Sequence, residues 1–276
     1  VGAIGPADLA LVRGDGLPLE QGLREAGGDP ARRAAAVRQP GDVAAYLELH
    51  IEQGRVLESE GKEIGIVTDI VGILRQRVVV EGRADHAGTT PMTLRQDAMV
   101  GAAAVIQAAY AEGRRRNTPQ CYVVATVGRV LVTPNAANAV PGRVEMVLEV
   151  RSNVAAVLDE LPAAVAAEVA APFAEMGLKL HQERISLTEA TFCDPRIQRL
   201  FGAAADALGL AHRPLSSGAG HDAMWVARIA PYGMIFVPCR EGRSHCAAES
   251  ITPEQAADGA RTLCESLVRL DGTFDS

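Results

Sequence analysis

The first part of the chain alternates short apolar runs with turn residues, a pattern typical of a layered α/β core. Up to residue 40 it predicts short helices broken by Pro and Gly. Residues 43–50 and 64–72 are continuously apolar enough for buried strands, and 53–60 is predicted as a short helix between them. The first of these strands ends in "HIEQG", which puts polar side chains where a core strand would stay apolar.

The middle of the chain has a different pattern of apolar and polar residues. "RQRVVVEGRADHAG" alternates like a half-exposed strand, and "TTPMTLRQDAMVGAAAVIQAAYAEG" predicts a long helix with Thr90 as N-cap and Pro91 at its first position. Two strands follow, then a helix over 154–176 and a last strand, "LKLHQERISL". The order β-α-β-β-α-β predicts a ferredoxin-like unit.

The remaining residues return to the α/β pattern. Asp194-Pro195 is predicted to open a helix, "GHDAMWVARI" to be helical and "YGMIFVP" to be a buried strand. Thr252-Pro253-Glu254-Gln255 is a capping box that predicts the last helix. We therefore expect an α/β fold: a core domain formed by residues 1–73 and 187–276, interrupted by a smaller domain at 74–186.

Composition excludes several classes of function. The 276 residues carry a formal net charge of −7, and Arg114-Arg115-Arg116 is the one compact basic cluster, which suits a helix end better than nucleic acid. No apolar run is long enough for a membrane span, and no signal peptide is recognised. The five cysteines contain no CxxC pair, which favours a reducing compartment, the cytoplasm.

Four of the six histidines lie beside predicted strand or helix ends, where side chains can reach a cleft. These are His50, His86, His221 and His245, whereas His181 and His212 are interpreted as surface or structural residues. Neutral imidazole is a common zinc ligand, so the four together indicate a polar site for a metal or an anion. No HExxH motif is present, and the ligand set is incomplete.

Two further stretches contain candidate binding residues. "PNAANAVPG" is a turn-rich loop, and Asn135 in it is interpreted as satisfying the backbone. Arg151, at the end of "MVLEVR", has a planar fork suited to a carboxylate, and its alternative is an ion pair with Glu149.

Read in series, "LELHIEQG", "ADHAGTTPM", "PNAANAVPG" with "EVRS", "SGAGHDA" and "SHCAAE" resemble the amidase, hydantoinase and carbamoylase branch of the M20 metallopeptidase-like family. That branch includes N-carbamoyl-L-amino-acid hydrolase, β-ureidopropionase and allantoate amidohydrolase. The resemblance implies a zinc-peptidase-like α/β core with a ferredoxin-like lid through which the protein forms a homodimer. It also implies hydrolysis of the ureido C–N bond of N-carbamoyl amino acids or allantoate-like substrates, which are small and carry a carboxylate.

The resemblance implies roles for individual residues as well. His50 and His245 would ligate two Zn²⁺ ions, a site that could also accept Mn²⁺ or Co²⁺, and Glu52 would support His50. Substrate binding would fall to these side chains: Gln53, Asn138, Arg151, His86 and His221. His86, from the neighbouring subunit, and His221 would also act on the scissile carbonyl.

Two departures from the family pattern matter. Ala247 stands where the family has proline after its last histidine. The family also places a histidine ligand, a bridging aspartate and a Glu-Glu pair ahead of the region that begins here, so we expect this chain to be incomplete and inactive alone. A non-catalytic binding or dimerisation descendant, and an aminoacylase or peptidase of the same superfamily, are the alternatives.

Overall fold

The computed structural model describes residues 4–12 and 14–272 and is a mixed α/β structure. The α-helices are α1 (Pro6–Leu9), α2 (Leu19–Glu25), α3 (Val56–Glu60), α4 (Ala98–Arg116), α5 (Ala155–Met176), α6 (Pro195–Ala207), α7 (Ala223–Val226) and α8 (Pro253–Asp271). The strands are β1 (Tyr46–Ile51), β2 (Ile64–Ile70), β3 (Gly72–Glu81), β4 (Asp85–His86), β5 (Val123–Thr133), β6 (Ala139–Val140), β7 (Arg143–Ser152), β8 (Lys179–Thr188), β9 (Thr191–Phe192), β10 (His212–Ser217) and β11 (Tyr232–Val237). Short 3-10 turns cover Pro30–Ala36, Met92–Leu94 and Arg240–Gly242.

The chain divides into two compact units. The first contains the residues up to Ile66, Cys193–Arg213 and the residues from His221 onward. The second contains Val67–Phe192 and Pro214–Gly220, so the predicted insert at 74–186 lies within it.

The first unit is built around a parallel pair of strands. β1 pairs with β11 in register from Tyr46↔Tyr232 to Ile51↔Val237, and β11 is buried at every position because α8 and β1 both pack against it. Alternation along β1 sends Leu47, Leu49 and Ile51 towards a core with Phe201 and Ile235. The other face of β1 therefore presents Tyr46, Glu48 and His50.

The second unit is an antiparallel sheet in the order β5-β7-β3-β8, with α4 and α5 packed against it. The four strands of this sheet and the two helices follow the predicted β-α-β-β-α-β order, and the two-residue strands β4 and β6 are additional. Strict alternation in β7 buries Val144, Met146, Leu148 and Val150 beneath the helices. The opposite face of the sheet carries charged side chains joined in ion pairs, which are Arg75–Glu149, Arg77–Glu145, Arg143–Glu81 and His181–Glu81.

Helix ends show where local signals decide the structure. The side chain of Asp194 caps α6 by accepting from Arg196 N, and the predicted capping box of Thr252 and Gln255 opens α8. The basic triplet forms the last turn of α4, where Arg115 and Arg116 both pair with Glu112.

Two predictions about helices are corrected. The long helix does not begin at Thr90 and Pro91; it begins at Ala98, where Asp97 Oδ1 accepts from the backbone N–H groups of Met99 and Val100. The stretch from Gly220 to Ile229 is not one helix, because regular α-helix is limited to the four residues of α7.

Candidate active site

In the first unit, a cluster of polar side chains lies on the face of β1 that carries Tyr46, Glu48 and His50. The rings of His50 and His221 meet edge to face with centroids 4.7 Å apart, and Phe236, which pairs with His50 in the sheet, lies 5.6 Å from His221. Glu48 accepts a 3.1 Å hydrogen bond from the Tyr46 hydroxyl and a 3.2 Å bond from Ala223 N. Two predicted site histidines are thus brought together from positions 171 residues apart, 221 minus 50.

His221 is buried and electrically neutral at pH 7. His221 is 8% exposed. This burial lowers its pKa from 6.5 to about 4, and electrostatic repulsion by His50 makes a smaller contribution in the same direction. Its Nδ1 is 3.6 Å from Glu48 Oε1, which is longer than a hydrogen bond, so the contact is polar and is not a formed ion pair. A neutral imidazole in this position can donate a hydrogen bond without adding charge.

His50 has one ring nitrogen committed to the backbone. Its Nδ1 is 2.8 Å from the carbonyl oxygen of Ile51, and a carbonyl only accepts, so Nδ1 carries the proton. The lone pair of the neutral ring is then on Nε2. A histidine that ligates a metal typically has its other N–H held by a carbonyl in this way, so His50 fits the predicted ligand role.

His245 lies in the loop between β11 and α8, in a left-handed conformation with φ 58°. Its backbone N–H donates to Glu249 Oε2 at 2.9 Å. Within residues 4–12 and 14–272, no three His, Cys, Asp or Glu side chains are grouped so that they could hold a metal ion, and no ring contact joins His245 to His50. The shared metal site of His50 and His245 stays a prediction.

The residues after His50 form a tight turn. Gln53 is half-buried with φ 57°, and the carboxylate of Glu52 accepts the N–H groups of Val56 and Leu57 at 2.8 Å each, which caps α3. A Cβ on Gly54 would lie 2.7 Å from Glu52 Oε1, so a larger residue there would have to displace the Glu52 carboxylate from this cap. The prediction that Glu52 supports His50 is therefore wrong, because both carboxylate oxygens cap α3 and the ring Nδ1 of His50 is held by the carbonyl of Ile51.

In the second unit, His86 and Asn138 are neighbours. β4 and β6 form a two-stranded ribbon in which His86 pairs with Ala139, and the carbonyl of Asn138 accepts from Ala87 N at 2.9 Å. Both residues are exposed. The ring of His86 is oriented by its own turn, since Nδ1 accepts from Gly88 N at 3.1 Å and from Thr89 N at 3.3 Å.

Arg151 is held by two partners in the same unit. Its Nε and Nη2 atoms both reach Glu149 Oε1, at 2.7 Å and 2.6 Å, and its Nη1 donates to the carbonyl of Gly218 at 2.6 Å. The ion pair considered from sequence is present. A carboxylate ligand of Arg151 would use the remaining N–H groups or displace Glu149.

Sequence reasoning missed Glu48 and Arg95. The period of two along a strand places Glu48 on the same face as His50, so the sequence contains a signal for it. Arg95 carries no motif signal; it donates to the carbonyls of Ala87 and Thr90 and so holds the turn that follows His86. In the described part of the chain, no helix is long and apolar enough to cross a membrane.

The fold and these motifs define the class of protein. The family model described as peptidase family M20/M25/M40 matches residues 20–269, and the chain belongs to that family. It is 40% identical over 269 residues to an N-carbamoyl-L-amino acid amidohydrolase of Geobacillus stearothermophilus, a match covering 98% of this chain and 65% of the relative. It is 32% identical to an allantoate amidohydrolase of Bacillus subtilis, over 92% of this chain and 61% of that protein.

Solved structures agree with this placement. The crystal structure of an amidase of the hydantoinase/carbamoylase family from Burkholderia multivorans matches with a TM-score of 0.82 and 36% identity, covering 94% of this chain and 62% of the other. The chain thus spans about two thirds of the length of these relatives, at 65%, 61% and 62%.

Proposed function

We propose that this chain is the larger part of a metal-dependent amidohydrolase that cleaves the ureido C–N bond of N-carbamoyl amino acids or allantoate-like substrates. The observation that carries the proposal is the pair formed by His50, with Nε2 available, and the buried neutral His221 beside it. The named activities of the relatives supply the reaction class.

Zn²⁺ is the proposed metal, and Mn²⁺ or Co²⁺ would suit a histidine and carboxylate site as well. His50 and His245 would contribute one ligand each. When bound, the ion would supply Lewis acidity and a lowered pKa for an attacking water. Five free cysteines among the described residues are consistent with a reducing compartment, and we propose the cytoplasm.

The other residues would bind and orient the substrate. His221, neutral at pH 7, would donate a hydrogen bond to the carbonyl oxygen as negative charge develops on it. Arg151 and Asn138 would bind the substrate carboxylate, Gln53 would contact the substrate, and His86 would donate from Nε2. Charged hydrogen bonds of the Arg–carboxylate type contribute about 1.5–3 kcal/mol each.

The isolated chain is expected to bind such ligands without turning them over, because its described part offers no three-ligand group for a metal. We would measure binding of N-carbamoyl-L-alanine, N-acetyl-L-alanine and an Ala-Ala dipeptide by calorimetry, and ammonia release in the presence of Zn²⁺. Preference for the N-carbamoyl compound supports the proposal. Preference for the acetyl compound or the dipeptide would favour an aminoacylase or peptidase.

A non-catalytic ligand-binding role is the second candidate, and the same absence of a three-ligand group in the described residues favours it. A non-catalytic role predicts that the chain binds carboxylate ligands and that no segment fused to it gives turnover of them. Turnover by this chain after fusion to the unmatched part of the Geobacillus relative would exclude it.

We also propose a homodimer through the second unit, at the β5 edge of its sheet. The β8 edge is protected by charged and polar residues in "KLHQER", whereas β5 has Arg129 as its one charge and exposes Val124, Val130 and Leu131. α4, which packs beside β5, exposes Met99, Ile106 and Tyr110 along one stripe.

Sedimentation analysis tests this assignment. Leu131→Lys should shift the chain to monomer, whereas Ile185→Lys, an equally exposed apolar position on β8, should leave the dimer intact. A monomeric unmodified chain, or dissociation by the β8 variant alone, would contradict it.

A further inference from the structure

The turn that follows His86 is closed by backbone hydrogen bonds. Thr90 N donates to the carbonyl of His86 at 3.2 Å, and Gly88 N and Thr89 N both donate to the His86 ring at Nδ1. A Cβ on Gly88 would come within 3.3 Å of His86 Cε1, so the turn lies directly against the imidazole. The ring and the turn are one structural unit.

This arrangement determines the tautomer of His86. A nitrogen that accepts from two N–H groups cannot carry a proton of its own, so in the neutral ring the proton is on Nε2. His86 therefore presents a hydrogen-bond donor on the side of the ring that faces away from the turn. The arrangement lasts only while the N–H groups of Gly88 and Thr89 keep their direction.

Arg95 holds these groups in place. Its Nε donates to the carbonyl of Thr90 at 3.1 Å, and its Nη2 donates to the carbonyl of Ala87, so one planar fork spans both ends of the turn. Arg95 is half-buried, and among the described residues its side-chain hydrogen bonds go to these two carbonyls. By contrast, Arg75, Arg77 and Arg143 of the same unit are all paired with glutamates.

The backbone around Arg95 is extended, with φ −77° and ψ 138°, which keeps α4 from starting earlier and leaves the side chain free to reach back. Because the hydrogen bonds of this guanidinium go to neutral carbonyls, their main effect is to fix the positions of the peptide groups in the turn. We propose that Arg95 is a positioning residue that fixes His86 as an Nε2–H donor by clamping the carbonyls of Ala87 and Thr90. The use of that donor on a substrate carbonyl or carboxylate rests on the proposed function; the tautomer itself does not.

The test is long-range ¹H–¹⁵N NMR of the imidazole groups in the ¹⁵N-labelled chain above pH 8, with His86 assigned by its loss in His86→Gln. We expect unmodified His86 to show the pattern of a single Nε2–H tautomer. Arg95→Met should replace it with the averaged pattern of a tautomer mixture. Arg95→Lys should do the same, because the ammonium group retains the charge but lacks the planar fork that fixes the direction of both hydrogen bonds.

Arg129→Met is the matched control, since Arg129 lies in exposed β5 and forms no hydrogen bond or ion pair within the described residues. It should leave the His86 pattern unchanged. The resonances of His181 and His212 report whether each variant is folded. A mixed or Nδ1–H pattern in the unmodified chain, or a single Nε2–H pattern retained in both folded Arg95 variants, would overturn the proposal.

Because this readout needs neither metal nor turnover, its failure is separable from failure of the proposed hydrolase activity. If His86 shows a single Nε2–H tautomer but the chain binds no ureido compound, the proposed function is refuted and the role of Arg95 stands.

Discussion

Replacing His221 should change how the stability of the protein depends on pH. Folded His221 takes up its proton only near pH 4, because of burial and of His50, whereas in the unfolded chain it does so near pH 6.5. Below pH 6.5 the unfolded state therefore binds more protons, and the free energy of unfolding falls as the pH is lowered from 6.5 towards 4. Well above pH 6.5 both states are deprotonated at His221, and the residue no longer contributes to this slope.

The magnitude follows from the two pKa values. The shift from 6.5 to about 4 corresponds to a loss of about 3 kcal/mol once His221 is fully protonated, and about 2 kcal/mol of that is lost by about pH 5. Against a typical domain stability of about 5–15 kcal/mol, a loss of this size is readily measured.

Urea denaturation in EDTA at a series of pH values, on the unmodified chain and on His221→Gln, measures the effect. Carboxylates contribute equally to both proteins, so the difference between the two curves isolates His221. That difference should be flat above pH 7 and should change by about 2 kcal/mol at pH 5. His181→Gln is the control, because the His181 side chain is 59% exposed. Parallel curves for the unmodified protein and His221→Gln would refute a buried, neutral His221.

Three further predictions concern helix start, packing and ligand binding. Asp97→Ala should cost about 1 kcal/mol of unfolding free energy by denaturant titration because it removes the α4 cap, while Thr90→Ala should cost less than half as much; equal losses would contradict the assigned start. Gly233→Ala places a Cβ 2.3 Å from Ile197 Cγ2 and should cost about 1–3 kcal/mol, measured as a lower melting temperature; an unchanged melting temperature would show that the core yields there. Arg151→Gln should weaken calorimetric binding of an N-carbamoyl amino acid about tenfold and leave its uncharged carboxamide unaffected; equal weakening of both ligands would remove the carboxylate role.

Much of the fold is encoded in local patterns that sequence alone displays. Alternation in β7 and the capping box of α8 both correspond to observed elements, because each depends on neighbours within a few residues. The start of α4 was misassigned because Thr90-Pro91 imitates a cap, whereas Arg95 ties Thr90 into the turn before the helix. The contact of the Arg95 side chain with a carbonyl five residues earlier leaves no periodic pattern in the sequence.

The sequence predicts which residue types belong to the candidate site better than it predicts which of those residues are in contact. The contact between His50 and His221 depends on the segment before α7 lying against β1, where Ala223 N donates to Glu48, and it cannot be read from spacing. The role expected for Glu52 is wrong because its carboxylate accepts the N–H groups of Val56 and Leu57 at the start of α3. Glu48 is the exception, because the period of two along the predicted strand 43–50 already places it on the same face as His50.

Turnover by a completed enzyme is the decisive measurement for the proposed hydrolase activity. The chain would be fused to the stretch of the Geobacillus relative that lies outside the matched region, loaded with Zn²⁺, and assayed for ammonia release from N-carbamoyl-L-amino acids. We predict sustained release that is abolished by His50→Ala in an equally folded fusion. A folded, zinc-loaded fusion that releases no ammonia, or one that works equally well without His50, would contradict the account.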